Sequence, residues 1–155
     1  MPPGEEGTIK IKVNTNGFGG HQLKKTIQVE TNDNRYPKFN LVVTGYVEKF
    51  VTILPERIKL AGQPQTLIKT SVSIIPEEKF PFKILEVTAK TGINIRQDLQ
   101  ETEISTGKKG YLLTVENLKK ETGRYFDTIT LKTDSKIRPE IAISVYGNIF
   151  QNIKK

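Results

Sequence analysis

The residues of this chain best suited to chemistry are one histidine and a few neighbouring carboxylates. His21, the single histidine, follows Gly19-Gly20 in a glycine-rich stretch. A Ser-His-Asp triad or a three-histidine metal site would rest on this one side chain or lack its other members. We therefore interpret His21 as a loop residue without a catalytic role.

Paired carboxylates can divide the work of a general acid and a general base. In this sequence each pair falls in a turn-like or edge-like segment, where solvated carboxylates are the rule. The pairs are Glu5 and Glu6, Glu77 and Glu78, and Glu101 and Glu103. Their contexts favour exposed surface charges over catalysis.

Two further stretches resemble ligand sites only in part. Gly17, Gly19 and Gly20 lack the G-x-G-x-x-G spacing, and no helix follows them, so a hairpin loop is favoured over a phosphate site. Asn32-Asp33-Asn34 offers oxygen ligands for calcium, but the matching later stretch is Asp134-Ser135-Lys136, so a turn explains both. We expect no catalytic residue, no metal and no cofactor, and we interpret the protein as a non-enzyme.

Composition excludes several classes of function. The 155 residues include no cysteine, which rules out disulfides, thiolate catalysis and cysteine metal sites. The net charge of +7 is spread evenly, with seven basic and five acidic residues in positions 1–50 and seventeen and twelve in positions 51–155. An even spread is typical of a solvated surface and argues against a nucleic-acid partner. No apolar run approaches the ~20 residues that span a bilayer, so we expect no membrane insertion.

Apolar and polar residues alternate along the chain, and this pattern predicts that β-strands are the elements that would position any site. Ile9, Ile11 and Val13 alternate with lysines, which indicates a strand with one buried face. Ile27 to Val29 and Phe39 to Val47 continue the alternation, with turn-forming residues between them. The first segment is therefore predicted to contain three strands.

The same pattern returns near the end of the chain. Residues 26–47 and 128–149 share six identical residues in 22 aligned positions, and the apolar positions agree best. A repeat spaced by about 100 residues is of domain size rather than of solenoid size. Residues 50–155 show about seven short strands. They are an opening strand at 51–54 and 57–60 that is split by Pro55, followed by strands at 68–74, 82–88, 93–95, 111–116, 125–133 and 139–149.

That number and spacing of strands is typical of an immunoglobulin-like sandwich. We therefore predict an all-β fold, an immunoglobulin-like antiparallel β-sandwich. One complete domain is expected at residues 50–155, preceded at residues 1–49 by the C-terminal three strands of a second, similar domain.

The chain also resembles a known group of domains. Residues 3–7 (Pro-Gly-Glu-Glu-Gly), 26–33 (Thr-Ile-Gln-Val-Glu-Thr-Asn-Asp) and 41–45 (Leu-Val-Val-Thr-Gly) resemble bacterial Hydin-like immunoglobulin-fold domains, which are related to major-sperm-protein sandwiches. Many bacterial members form a family of unknown function. The resemblance implies an exported scaffold module in the periplasm or cell envelope, without catalytic residues to transfer.

The first segment also predicts where the chain associates. Its apolar side chains share one face, and leaving such a face in water would cost free energy comparable to the stability of a domain. Missing strands of the same protein, a second copy, or a partner that adds strands would each cover it. We expect a protein partner or homo-oligomer through residues 8–47. The interaction residues are Ile9, Ile11, Val13, Ile27, Val29, Phe39, Leu41 and Val43.

An alternative interpretation is a carbohydrate- or nucleic-acid-binding sandwich that uses basic loops and exposed aromatic rings. Aromatic side chains provide flat surfaces on which sugars or bases stack. The candidate rings are Phe18, Tyr36, Tyr111, Tyr125 and Phe126. Exposed, coplanar rings would favour this alternative, and concentration-dependent association would favour the first.

Overall fold

The fold is all-β. The computed structural model describes residues 6–15, 17–105 and 107–151, which contain ten strands and no helix. The chain divides into two compact units, Met1–Lys49 and Phe50–Lys155, here called the N-terminal unit and the C-terminal unit.

The N-terminal unit contains one antiparallel hairpin. Strand β1 (His21–Glu30) pairs with strand β2 (Lys38–Val47) through an unbroken register that runs from His21 opposite Val47 to Glu30 opposite Lys38. Gly17 and Gly20, with φ of 81° and 82°, lie in the turns that precede β1, where glycine adopts positive φ without strain.

The prediction of a third strand in this unit is wrong for the described residues. Residues 6–15 form no strand, and Ile9 and Ile11 are 63% and 41% exposed. The alternating pattern indicates which side chains would share a face, but a strand also needs a neighbour for its backbone hydrogen bonds. In this unit β1 and β2 pair only with each other.

The C-terminal unit contains eight strands in two sheets. The strands are β3 (Val51–Leu54), β4 (Ile58–Gly62), β5 (Lys69–Pro76), β6 (Ile84–Ala89), β7 (Ile95–Ser105), β8 (Lys108–Asn117), β9 (Gly123–Thr133) and β10 (Glu140–Ile149). One sheet has the order β4-β10-β9-β6 and the other β3-β5-β8-β7. All neighbours are antiparallel except β4 and β10.

The predicted split of the opening strand is confirmed. β3 ends at Leu54, just before Pro55, and β4 resumes at Ile58 in the opposite sheet. The predicted strand at 93–95 is too short, because β7 continues to Ser105 through polar residues. β7 is an edge strand, and an edge strand can be polar because only part of its surface faces the core.

A single core lies between these two sheets. Its fully buried side chains come from both: Ile58, Leu60, Ile129, Leu131, Ile143, Val145 and Ile149 from one sheet, and Val72, Ile74, Leu113 and Val115 from the other. Two sheets that share a core in this way form a β-sandwich.

Candidate protein-interaction surface

Side chains on one side of the hairpin β1–β2 form a continuous surface. Ile27 lies directly opposite Leu41, and Val29 directly opposite Phe39, so their side chains project to the same side. We call this surface the hairpin face. It comprises Leu23, Lys25, Ile27, Val29, Phe39, Leu41, Val43 and Val47.

Most of the hairpin face is partly exposed. Phe39 is 42% exposed, whereas Leu23 is only 4% exposed. The remaining apolar side chains are partly exposed: Ile27, Val29, Leu41, Val43 and Val47. Five of the predicted interaction residues therefore lie together on this face. Ile9, Ile11 and Val13 lie outside it, in the segment that forms no strand.

The C-terminal unit contains a hairpin of the same construction. β10 begins at Glu140 and ends at Ile149, each 102 positions after the corresponding end of β2. Gly123 pairs with Ile149 as His21 pairs with Val47, so the cross-strand register is the same. The two hairpins can therefore be compared residue by residue.

The same positions are fully buried in the second hairpin. Ile129, Leu131, Ile141, Ile143, Val145 and Ile149 correspond to Ile27, Val29, Phe39, Leu41, Val43 and Val47, and each is at most 2% exposed. In the C-terminal unit these side chains pack against those of the sheet β3-β5-β8-β7. Among the described residues of the N-terminal unit no sheet plays this part.

The turns of the two hairpins also match. The Thr31 hydroxyl donates to the carbonyl of Tyr36 at 2.6 Å, and the Thr133 hydroxyl donates to the carbonyl of Arg138 at 2.7 Å. The backbone N–H groups of Asp33 and Ser135 each donate to these hydroxyls at 3.2 Å. Asp33 also accepts a hydrogen bond from the Arg35 N–H. This contact is typical of a turn, so the position of the Asp33 carboxylate is explained without a calcium ion.

A pair of equivalent glycines marks the difference between the hairpins. A methyl group added to Gly147 would overlap the ring of Tyr125, whereas one added to Gly45 would meet nothing within 4 Å. Position 125 corresponds to Leu23, whose side chain is smaller. Gly45 therefore leaves unfilled space beside the hairpin face.

One charged side chain lies within the hairpin face. Lys25 stands opposite Val43, and its Nζ lies 5.2 Å from the centre of the Phe18 ring. A cation at this distance from an aromatic face is attracted to it. The equivalent residue, Asp127, is 2% exposed in the C-terminal unit.

The sequence analysis missed two residues of the hairpin face, Leu23 and Lys25, because the pair Lys24-Lys25 interrupts the alternation of apolar and polar residues. An alignment of these positions with Tyr125 and Asp127 would have identified both.

Asp127 is a buried structural carboxylate. It accepts hydrogen bonds from the Thr91 hydroxyl at 2.6 Å and from the backbone N–H groups of Thr91, Gly92 and Thr128 at 3.1, 3.0 and 2.8 Å. Burial raises the pKa of Asp127, but these hydrogen bonds outweigh it, so the pKa lies below its ordinary value. Burial and the nearby Asp127 charge raise the pKa of Tyr125 to about 12, and the Tyr125 hydroxyl donates to Asn117 at 2.7 Å.

Of the candidate residues for catalysis, Glu77, Glu78 and Glu101 line one groove of the C-terminal unit, whereas Glu6 and His21 belong to the N-terminal unit. His21 is exposed at the start of β1. Glu77 accepts from the Thr52 hydroxyl, Glu78 lies 3.5 Å from Lys108, and Glu103 accepts from the Gly107 N–H. Glu5 lies outside the described residues. Within the described part of the chain, no group of three or more His, Asp or Glu side chains could hold a metal ion.

The aromatic rings of the alternative interpretation do not form a flat platform. Tyr111 is 7% exposed and its hydroxyl accepts the Ile84 N–H, so it belongs to the core. Phe126 is exposed and contacts Tyr146 at 5.1 Å between ring centres, but the rings are inclined by 59°. Tyr36 is 70% exposed in the turn of the first hairpin.

A groove of about 590 Å³ lies at the end of the C-terminal unit where the β5–β6 loop meets the β7–β8 and β9–β10 turns. Its lining alternates carboxylates with lysines and includes the buried rings of Phe82 and Tyr111. Asp134 in this lining accepts from the Lys83 N–H at 2.8 Å and so ties two loops together. These contacts describe loop packing rather than a convergent set of reactive groups.

Across the described ranges, no helix has the length and apolarity to cross a bilayer.

No family model matches this chain, and no curated protein sequence matches it. Among solved structures, the chain is similar to a crystal structure of a protein of unknown function from Porphyromonas gingivalis W83. The match has a TM-score of 0.51 at 11% sequence identity and covers 85% of this chain and 67% of that chain. At this level of identity the similarity concerns the fold alone.

Proposed function

We propose that this protein is a non-enzymatic scaffold or protein-interaction module built from tandem immunoglobulin-like domains. The observation that carries this proposal is the contrast between two matching hairpins, of which one has a fully buried apolar face and the other an open one. Covering an apolar side chain contributes roughly 1.5–3 kcal/mol at full burial, so the open face favours association.

The strand order supports the immunoglobulin-like assignment. The sheet β3-β5-β8-β7 corresponds to strands A, B, E and D of such a sandwich, and β10, β9 and β6 correspond to G, F and C. β4 is the continuation of the first strand, β3, and pairs with the last strand, β10, in the other sheet. The matching hairpin in the N-terminal unit supports its interpretation as the F–G hairpin of a second domain of the same kind.

We infer that the occupant of the hairpin face is a second copy of the chain, bound through residues 8–47. The N-terminal unit provides both an open face and the unpaired apolar residues Ile9 and Ile11, so two copies can cover these surfaces for each other. The resemblance to Hydin-like domains further suggests a periplasmic or envelope location, which cell fractionation would test.

A pair of neighbouring valines tests the association directly. Val43 lies on the hairpin face, whereas Val42 is 52% exposed on the opposite side of the same strand. Val43→Lys should weaken self-association by at least tenfold, because it places a second ammonium group opposite Lys25, where about 1.5 kcal/mol or more of apolar burial is expected. Val42→Lys should leave the dissociation constant within about threefold of the unsubstituted chain.

Sedimentation equilibrium at several concentrations provides the dissociation constants. Backbone amide spectra of both variants establish that the hairpin remains folded, so that a loss of association is not a loss of structure. A protein that stays monomeric at all concentrations with an ordered hairpin would contradict the proposal.

A further inference from the structure

The outer edge of β2 differs from the equivalent edge of β10 in its strand neighbours. β10, the equivalent strand, pairs on one side with β9 and on the other with β4. β2 pairs with β1, and no other described strand of the N-terminal unit lies beside it. Its backbone groups along this edge are therefore available to a further strand.

The β4–β10 pair shows what kind of strand suits such an edge. β4 runs parallel to β10, with Ile58 opposite Val145, Leu60 opposite Gly147 and Gly62 opposite Ile149. Ile58 and Leu60 are fully buried, while the side chain of Lys59 is exposed between them. The strand thus presents apolar residues to the core at alternate positions and a lysine to solvent.

Residues 9–13 have the same pattern. Their sequence is Ile-Lys-Ile-Lys-Val, compared with Ile-Lys-Leu-Ala-Gly in β4. In a register copied from β4 and β10, Ile9 would stand opposite Val43, Ile11 opposite Gly45 and Val13 opposite Val47. Ile11 would then occupy the position of Leu60, beside the glycine that leaves open space on the hairpin face.

We propose that residues 9–13 of one copy pair, parallel, with residues 43–47 of β2 in a second copy, and that the exchange is reciprocal. This inference rests on the proposed self-association and identifies the element that mediates it. Among the described residues of the N-terminal unit, neither the donor segment nor the acceptor edge pairs with a further strand, and mutual donation would give each of them a partner. Reciprocal exchange of an identical element gives a closed two-fold dimer.

Cysteine crosslinking tests the register, because the chain contains no cysteine of its own. Lys10 and Thr44 would face each other in the proposed pairing, at a spacing of about 5 Å between strands, which a disulfide can bridge. Lys10→Cys and Thr44→Cys are prepared as separate proteins, one isotopically labelled, and mixed under mild oxidation. Mass spectrometry should detect a mixed disulfide dimer.

Asn40→Cys provides the matched control. Asn40 lies on the same side of β2 as Thr44, about 13 Å further along the strand. Lys10→Cys should crosslink to Thr44→Cys at least tenfold faster than to Asn40→Cys. Equal rates, in a protein that still dimerises in sedimentation experiments, would overturn the strand exchange while leaving the proposed association intact.

A third variant distinguishes pairing of residues 9–13 with β2 of a second copy from pairing with β2 of the same chain. The double variant Lys10→Cys/Thr44→Cys should give disulfide-linked dimers. If it gives only an internally linked monomer, residues 9–13 pair with their own β2, and the exchange between copies is refuted. A wild-type chain that stays monomeric in sedimentation would refute both proposals.

Discussion

Gly147 and Gly45 occupy equivalent positions with opposite surroundings. Gly147 lies against the ring of Tyr125, and Gly45 has no atom within 4 Å of an added methyl group. The two hairpins thus share a backbone path, whereas the packing of each glycine depends on the side chain opposite it, Tyr125 or Leu23.

Gly147→Ala is expected to lower the free energy of unfolding by about 1–3 kcal/mol, since the Tyr125 ring must move to admit the methyl group. Gly45→Ala is the matched control and should change it by less than about 0.5 kcal/mol. Urea denaturation followed by circular dichroism measures both. Equal effects of the two substitutions would contradict this account of the packing.

Asp127 makes the stability of the C-terminal unit depend on pH. Its pKa in the folded state lies below the ordinary value of 3.8, so its stabilisation is fully present above that value and is lost as the pH falls through the lower, folded pKa. Asp127→Asn should cost about 1–3 kcal/mol at neutral pH, because the amide nitrogen cannot accept the hydrogen bonds of the carboxylate.

Denaturation curves between neutral pH and about pH 2 test this dependence, a range that extends below the ordinary aspartate pKa. The loss of stability in acid should be smaller in Asp127→Asn than in the unsubstituted chain. Asp98→Asn, which changes an exposed carboxylate, serves as the control. An unchanged acid profile in Asp127→Asn would show that other groups dominate.

At the scale of the element, the two hairpins close with the same turn. One threonine hydroxyl donates across the turn and accepts from a backbone N–H two residues later, in both units. These paired contacts hold the strands in register where the chain reverses.

Thr133→Val retains the shape of the side chain but removes both hydrogen bonds of its hydroxyl. We expect it to lower the free energy of unfolding by about 1–2 kcal/mol, because Thr133 is buried and the carbonyl of Arg138 loses its donor. Thr130→Val on the same strand is the control. Thermal or urea unfolding measures the difference, and equal stability of the two variants would contradict the role of the turn.

The alternating pattern was a sound guide to strands that pair with a neighbouring strand and have one apolar face. It identified β5, β9, β10 and the hairpin β1–β2, where apolar and polar residues take turns. It failed at residues 9–13, because alternation cannot report whether another strand is near enough to pair. It underestimated the length of β7, because this edge strand consists mostly of polar residues and so shows little alternation of apolar and polar side chains.

The candidate surface was predictable for a similar reason. Ile27, Val29, Phe39, Leu41 and Val43 share a face whenever β1 and β2 are strands in this register. The sequence also predicted that this face needs a cover from elsewhere, but the exposure of each side chain was not predictable, because it depends on which other residues lie over the hairpin.

At the scale of the whole molecule, the net charge of +7 and the open apolar face predict different responses to salt. Association through the apolar face should change less than threefold in dissociation constant between about 50 and 200 mM salt. Binding to a polyanion through several phosphate contacts would weaken by orders of magnitude over the same range. Sedimentation across a salt series, with a heparin-binding assay beside it, separates the two modes.

Lys25 gives the open surface a property that a purely apolar face would lack. An ammonium group in the middle of the face remains favourable only if the covering surface leaves it a path to water or offers it a carboxylate. Indiscriminate stacking of hairpin on hairpin would bury this charge without compensation. We therefore expect Lys25 to disfavour indiscriminate aggregation and to restrict the occupant of the face to one whose shape or charge accommodates the cation.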